Sequence, residues 1–154
     1  METAILIRDY ACNITVSATP KEMFETLTCR IQDWWTETVE GASKKINDIF
    51  TLRFGNTYKT FRVADLVAND TVVWQCIDSY IDHPALQNKK EWTGTKIVWE
   101  ISAERHANRL TMTHIGLNPE TECYDICEKG WESFLNESLY KLLNTGKGFP
   151  FTGN

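Results

Sequence analysis

The sequence predicts an α+β domain in which a curved antiparallel sheet of about six strands wraps around a long C-terminal helix, with two short helices after the first strand. Three observations support this fold class. Most of the chain consists of short runs with strand-like alternation, separated by turn signals. Residues near the C-terminus instead repeat apolar side chains at helical spacing. Because an antiparallel sheet has one face to cover, this helix is its natural cover, and we expect residues 1–154 to form a single domain.

The composition is ordinary for a globular protein, with 42% hydrophobic and 24% charged residues in a chain of 154. The formal net charge of -5 argues against a nucleic-acid partner, which requires a positive field. No apolar run approaches the ~18 residues of a membrane span. The start Met1-Glu2-Thr3 lacks the basic and apolar stretches of a signal peptide, so we expect a cytoplasmic location.

The first strand and helix are marked by a change of period. Residues 10–17 alternate in the manner of a half-buried strand. Thr19, Pro20 and Glu22 then provide an N-cap, a first helical residue and the partner of a capping box. Apolar residues recur at helical spacing after this cap, so the helix is expected to bury one face: Met23, Phe24, Leu27 and Ile31.

The central part of the chain is predicted to be a meander of strands. Residues 40–45, which follow two adjacent tryptophans, are polar and are predicted to be a loop. Strand-like runs occupy residues 50–54, 58–67, 71–77, 97–102 and 110–115. Residues 79–94 form a long polar loop between the third and fourth of these runs. Loops of this length in compact domains are often functional or mobile.

The last element is predicted to be a helix of roughly 22 residues, about 33 Å long. Asn118-Pro119 opens it and Gly146 provides the stop. One broad face is largely apolar, and it comprises Tyr124, Cys127, Trp131, Phe134, Leu135, Ser138, Leu139 and Leu142. The six tryptophans of the chain provide large, rigid walls, and a cleft between sheet and helix is the expected ligand site.

Five segments in this order resemble the START-like (SRPBCC) superfamily, and more closely its branch homologous to activators of the ninety-kilodalton heat-shock protein ATPase. They are ITVSATP at residues 14–20, EWTGTKI at 91–97, LTMTHIGL at 110–117, GWESFL at 130–135 and TGKGFPF at 145–151. The resemblance implies a helix-grip fold. Superfamily members include lipid carriers, hormone receptors, ring-closing enzymes and co-chaperone domains, so the fold alone does not select a function.

The leading hypothesis is a binding module for a small hydrophobic or amphipathic molecule, held between the sheet and the C-terminal helix. The loop at residues 79–94 and the tail at residues 149–151 are expected to rim the mouth of the cavity. The candidate ligand-binding residues are Leu52, Phe54, Trp74, Trp99, Met112 and His114 on the sheet, and Trp131, Phe134 and Ser138 on the helix.

His114 decides between this hypothesis and an enzymatic one. By alternation it shares the covered face with Leu110 and Met112. It is a ligand anchor, an acid–base group, or a core histidine hydrogen-bonded to a neighbour. An enzyme of the polyketide cyclase or aromatase type would require the acid–base role. The third hypothesis, a co-chaperone-like activator of a heat-shock ATPase, would require a partner surface instead of a cavity.

Gly130 and Ser138 have two interpretations each, and Glu100 has one. Gly130 inside the last helix costs about 1 kcal/mol relative to alanine, which indicates close approach to the sheet or to a ligand. Ser138 either contacts a ligand or bonds back to the carbonyl of Phe134. Glu100 is expected on the solvent face of its strand, since carboxylates are rarely buried unpaired.

The five cysteines are expected to be reduced thiols, because their number is odd and no secretory signal is present. Cys123 and Cys127 are four residues apart, but the remaining candidate ligands His83, His106 and His114 are scattered, so no metal site is predicted. Cys127 with His114 could in principle form a nucleophile and base. The sequence has no phosphate-binding loop or dinucleotide fingerprint, and no cofactor is predicted.

Overall fold

The computed structural model, which describes residues 7–152, contains a curved, fully antiparallel sheet of seven strands. The strands are β1 Tyr10–Val16, β2 Val39–Gly41, β3 Ile49–Phe54, β4 Thr57–Val67, β5 Thr71–Tyr80, β6 Lys96–Ala103 and β7 Asn108–Ile115. Their order across the sheet is β1-β7-β6-β5-β4-β3-β2. The predicted α+β class is confirmed, with one strand more than expected. The additional strand is β2, which lies partly in the segment predicted as a loop and is too short to show alternation.

Two short helical segments follow β1, as predicted. Helix α1 spans Pro20–Cys29, and a 3-10 turn spans Ile31–Asp33. The capping box is formed, because Thr19 Oγ1 accepts a hydrogen bond from the Glu22 amide at 3.1 Å while Glu22 Oε1 accepts one from the Thr19 amide at 3.5 Å. These reciprocal bonds satisfy two of the amides that the first turn of a helix leaves without partners.

The C-terminal helix, residues 124–145, is continuous but not uniform. It comprises α2 Tyr124–Ser133, a π-helical segment Phe134–Leu139 and α3 Tyr140–Thr145. The predicted opening at Asn118-Pro119 is wrong, because Asn118 belongs to a turn in which its carbonyl accepts from the Thr121 amide at 2.8 Å. The predicted stop is confirmed at Gly146, whose φ of 88° suits a residue without a Cβ.

The core lies between the concave face of the sheet and the C-terminal helix. The helix buries Cys127, Trp131, Leu135 and Leu139 against it. Each large apolar side chain buried in this way contributes roughly 1.5–3 kcal/mol. Glu100 is exposed on the opposite face of the sheet, as predicted. The largest fully buried side chains of the core are Trp34, Trp35, Trp74, Trp99, Phe50 and Phe61.

Ser138 joins the helix to two other segments of the chain. Its hydroxyl donates to the Trp34 carbonyl at 2.6 Å and accepts from the Phe149 amide at 2.8 Å. The expected bond to the carbonyl of Phe134 is therefore wrong, since Ser138 faces the segment before β2 instead of its own preceding turn. The amide of Phe151 also donates to the Trp35 carbonyl at 3.0 Å, so the C-terminal tail is fixed against residues 34–37.

No helix within residues 7–152 is both long enough and apolar enough to cross a membrane. The three N-terminal residues used for the expected location lie outside the described range.

Replacing Ser138 by alanine is expected to destabilise the protein by about 1–3 kcal/mol, because it leaves the buried Trp34 carbonyl without a partner. Urea unfolding followed by circular dichroism measures this difference. Ser133→Ala is the matched control, since Ser133 is exposed on the same helix and should change stability by less than about 0.5 kcal/mol. Equal stabilities of the two variants would contradict the assigned role of the Ser138 hydroxyl.

Candidate functional site

A cavity of about 190 Å³ lies between α2 and the turn that joins β3 to β4. Its rim includes the half-buried residues Phe54, Lys59 and Phe134. Its walls are mostly aromatic and aliphatic, with one charged side chain. The lining residues are Trp35, Phe54, Thr57, Lys59, Ile81, Trp92, Ile126, Cys127, Gly130, Trp131 and Phe134.

The cavity contains three of the nine residues expected to bind a ligand: Phe54, Trp131 and Phe134. Ser138 holds the tail, and His114 lies behind the cavity wall. The other four side chains are at most 1% exposed and fill the centre of the molecule: Leu52, Trp74, Trp99 and Met112. Trp99 stands edge-on to Trp34 and Trp74, with ring centroids 5.7 and 5.5 Å apart. The middle of the expected cleft is therefore solid, and the free space lies beside the first half of the C-terminal helix.

His114 is completely buried, as its place in the strand alternation predicted, but it does not line the cavity. The Trp131 indole nitrogen donates to His114 Nδ1 at 3.0 Å. His114 Nε2 therefore carries the proton and donates to Thr95 Oγ1 at 2.9 Å, while Thr95 donates in turn to the Trp92 carbonyl at 2.6 Å. Both ring nitrogens are occupied, so the interpretation as a hydrogen-bonded core histidine describes this residue.

The same burial fixes the charge state of His114. Desolvation, with a smaller contribution from the nearby ammonium of Lys59, lowers the pKa of His114 to about 3. The ring is neutral at physiological pH, in agreement with its role as acceptor for Trp131. A neutral histidine sealed behind two indoles is not placed to exchange protons with a molecule in the cavity.

Lys59 introduces a positive charge into the cavity. Its Nζ lies 3.7 Å from the ring centroid of Trp92 and 5.1 Å from that of Phe54. Such cation–π contacts replace part of the lost hydration. Within residues 7–152 no carboxylate lies within 4.0 Å of this nitrogen, and it donates no hydrogen bond. Desolvation by burial lowers the pKa of Lys59.

Cys127 shares the cavity with this lysine. The Trp92 indole nitrogen donates to Cys127 Sγ at 3.1 Å. A hydrogen bond from Cys123, the field of Lys59 and the indole bond together lower the pKa of Cys127, whereas the pKa of Cys123 is raised. The conceivable pairing of Cys127 with His114 is not formed, because Trp131 and Thr95 occupy the imidazole. All five cysteines are free thiols, and no group of three metal-ligating side chains occurs in the described part of the chain.

Gly130 lies in the middle of α2 and faces the cavity. A Cβ atom built on it would meet no atom within 4 Å. Close packing of the helix against the sheet therefore does not explain this glycine. What the glycine does is leave the space between Ile126, Cys127 and Trp131 open.

The loop after β5 supplies Ile81 and Trp92 to the cavity. The Glu91 carboxylate accepts from the amides of Glu122 and Cys123 at 3.0 and 2.9 Å, so it caps the start of α2 and places Trp92 beside the helix. The tail contributes no lining residue, although the ring of Phe151 packs 5.7 Å from that of Phe54.

Sequence reasoning missed several lining residues, of which Lys59 and Trp92 matter most. The inward direction of Lys59 could have been predicted from alternation along β4. Phe61 and Val63 lie on the same face of this strand as Lys59, and both are fully buried. The position of Trp92 could not have been predicted in this way, because it lies in an irregular loop without the alternation that shows which way a side chain points.

Comparison with solved structures identifies proteins that share this architecture. The Aha1 protein of Colwellia psychrerythraea, whose structure was determined as a dimer, is 25% identical over 91% of this chain and 98% of its own, with a TM-score of 0.74. The fold is START-like. Protein MLL2253 of Mesorhizobium loti (16% identity, 84% of this chain and 92% of its own, TM-score 0.68) and CalU16 of Micromonospora echinospora (15%, 84% and 73%, TM-score 0.62) share this START-like fold.

The resemblance drawn from the sequence, to the START-like superfamily and its Aha1-like branch, is thereby confirmed. A scan against protein-family models finds no match, and a search of curated proteins finds none. The START-like fold accounts for the position of the cavity between sheet and helix, but it does not determine what the cavity holds.

The stability of the protein is expected to depend on His114 from about pH 6.5 down to the folded pKa of about 3. The folded pKa lies below the unfolded value of about 6.5, so the unfolded chain binds the proton first. The contribution of neutral His114 to the free energy of unfolding is complete above pH 6.5. Below that pH it falls by up to ~1.4 kcal/mol per pH unit. Urea unfolding of the wild type and of His114→Gln at pH 7.5, 6 and 5 measures this slope.

The variant should be less stable at pH 7.5 yet lose less on acidification, because glutamine does not titrate. Parallel losses in the two proteins would show that His114 is not held neutral.

Proposed function

We propose that the protein binds a small, largely apolar molecule in the cavity beside α2. The observation that carries this proposal is Gly130. A glycine within a helix lowers stability by about 0.5–1 kcal/mol relative to alanine, and here no neighbouring atom requires it. Space kept open at a cost in stability is explained if a guest molecule occupies it.

The volume of the cavity restricts the size of the guest. Pockets for drug-sized molecules measure about 300–1,000 Å³, whereas a cavity of about 150 Å³ accommodates benzene. The 190 Å³ found here suits a molecule of one or two rings. A long acyl chain or a sterol would require the tryptophans of the core to separate.

The walls favour a flat, aromatic guest. The rings of Trp92 and Trp131 are parallel within 10°, with centroids 5.7 Å apart, and Trp35 lies 5.0 Å from Trp131. Phe54 and Phe134 lie 5.9 Å apart on the rim. Indole and phenyl faces offer large apolar area with fixed shape, and contacts between rings contribute beyond the area buried.

The geometry gives little support to a cyclase that uses His114. Such an enzyme would need an acid–base group in contact with its substrate. His114, the histidine considered for this role, is neutral, fully hydrogen-bonded and absent from the lining of the cavity.

Activation of a heat-shock ATPase is the second candidate function. It is supported by the 25% identity to the Aha1 protein of Colwellia psychrerythraea over 91% of this chain. Its test is stimulation of the ATPase of a purified ninety-kilodalton heat-shock protein by this chain. Because an activator acts through its surface, filling the cavity should leave stimulation unchanged, which separates the two functions.

Filling the space at Gly130 tests the binding function. Indole and naphthalene, as neutral aromatic probes, are expected to raise the melting temperature of the wild type and to change its tryptophan fluorescence. Gly130→Leu places a branched side chain in the open space and should abolish both effects while the protein remains folded.

Gly130→Ala is the matched control, because its single methyl leaves most of the cavity free. It should still bind and should be more stable than the wild type by about 0.5–1 kcal/mol, which is about 1–4 °C in melting temperature. Probe binding that persists unchanged in Gly130→Leu would place the ligand elsewhere and refute the proposal.

A further inference from the structure

From the placement of Lys59 we infer that the ligand of this cavity is an aromatic carboxylate whose anionic group pairs with the Lys59 ammonium. This inference rests on the proposed binding function and specifies its ligand class. The Lys59 side of the cavity contacts the polar end of the ligand, and the indole and phenyl rings contact the remainder.

The strand geometry directs Lys59 inward. Alternate residues of a strand share one face, and Phe61 and Val63, on the same face of β4 as Lys59, are fully buried. Surface lysines of the chain point to solvent and several form ion pairs, such as Lys90 with Asp78 at 3.4 Å. Lys59 instead reaches over the ring of Trp92, where its ammonium lies among apolar walls.

No carboxylate balances the charge of Lys59 in the described part of the chain. An ammonium has three donors, and the cavity lining contains no carboxylate to accept from them. A desolvated charge without a partner is costly, so an anion that enters the cavity gains more from this ammonium than it would in bulk water. Desolvation also lowers the pKa of Lys59, a shift that a bound anion would reverse.

Thr57 provides a second donor on the same strand face. Its Oγ1 accepts from the Asp82 amide at 2.9 Å, which leaves its own hydrogen available. Thr57 and Lys59 both line the cavity and are two residues apart on β4. An ammonium and a hydroxyl on one wall match the two oxygens of a carboxylate.

The single cation distinguishes a carboxylate from a phosphate ester. A phosphate monoester carries about -1.5 to -2 charges at neutral pH and offers three acceptor oxygens. Lys59 is the one charged residue among those that line the cavity in the described chain. One ammonium balances one negative charge, and the aromatic walls carry no cation that could balance a second negative charge.

Cys127 is the internal competitor for Lys59, because the neighbouring Cys123 and, to a smaller extent, the field of the ammonium lower the pKa of its thiol. Its sulfur already accepts the indole hydrogen of Trp92 at 3.1 Å and forms no hydrogen bond with Lys59. A carboxylate is the stronger acceptor, so an acid that enters the cavity pairs with the Lys59 ammonium in preference to the Cys127 sulfur.

A pair of probes with the same shape and different charge tests the inference. Calorimetric titration at pH 7.5 compares 2-naphthoate with the neutral 2-naphthamide. The wild type is expected to bind the acid at least about tenfold more tightly than the amide, as hydrogen bonds to charged groups predict. Lys59→Met should bind both with the affinity of the amide, whereas Lys96→Met, which alters an exposed lysine outside the cavity, should resemble the wild type.

Each outcome has a distinct meaning. Equal affinities of the wild type for acid and amide would overturn the carboxylate assignment and leave the proposed function standing. Binding of neither probe would remove the proposed aromatic ligand together with the assignment. If Lys59→Met still preferred the acid, another residue would recognise the carboxylate, and the assignment to Lys59 would be wrong. Binding of the amide by Lys59→Met shows that it is folded, and Lys59→Gln serves the same test if the methionine variant does not fold.

Discussion

The hydrogen bond from Trp131 to His114 joins the C-terminal helix to the sheet beside the cavity. Trp131 projects from α2 and His114 from β7, and the 3.0 Å bond fixes how the indole is oriented. His114 donates to Thr95, which donates to the Trp92 carbonyl, so two of the three tryptophans that line the cavity, Trp92 and Trp131, are held by one buried polar chain. Removal of any member would leave a buried donor or acceptor unpaired, which costs more than the bond itself contributes.

This network explains why the interior is dense in one place and open in another. Three indole rings surround Trp99, with the centroids of Trp34, Trp74 and Trp131 at 5.5–6.0 Å from its own. Beside α2 the same packing stops, because Gly130 presents no side chain and Lys59 brings a charge that apolar groups cannot satisfy. Both features lower the stability of the protein, and natural proteins accept such local costs where a function requires them.

The fold could be predicted largely from local pattern, and the site only in part. Alternation and the capping box at Thr19 mark their elements unambiguously, whereas β2 has three residues and carries no period. Inward direction was readable for Trp99 and Met112, but whether such side chains line a cavity or fill it depends on volumes contributed by distant segments, above all Trp34 and Trp35. Trp92 could not be placed, because the hydrogen bonds of Glu91 to the start of α2 are a tertiary feature.

The six tryptophans also form one optical unit. Neighbouring centroids lie 5.2 Å apart for Trp34 and Trp35, 6.1 Å for Trp35 and Trp74, 5.5 Å for Trp74 and Trp99, 6.0 Å for Trp99 and Trp131, and 5.7 Å for Trp131 and Trp92. At such separations an excited indole passes its energy to the next, so the emission of the array reflects its lowest-energy member. A molecule that contacted Trp92 or Trp131 would therefore also affect the emission that follows excitation of the tryptophans on the far side of the core.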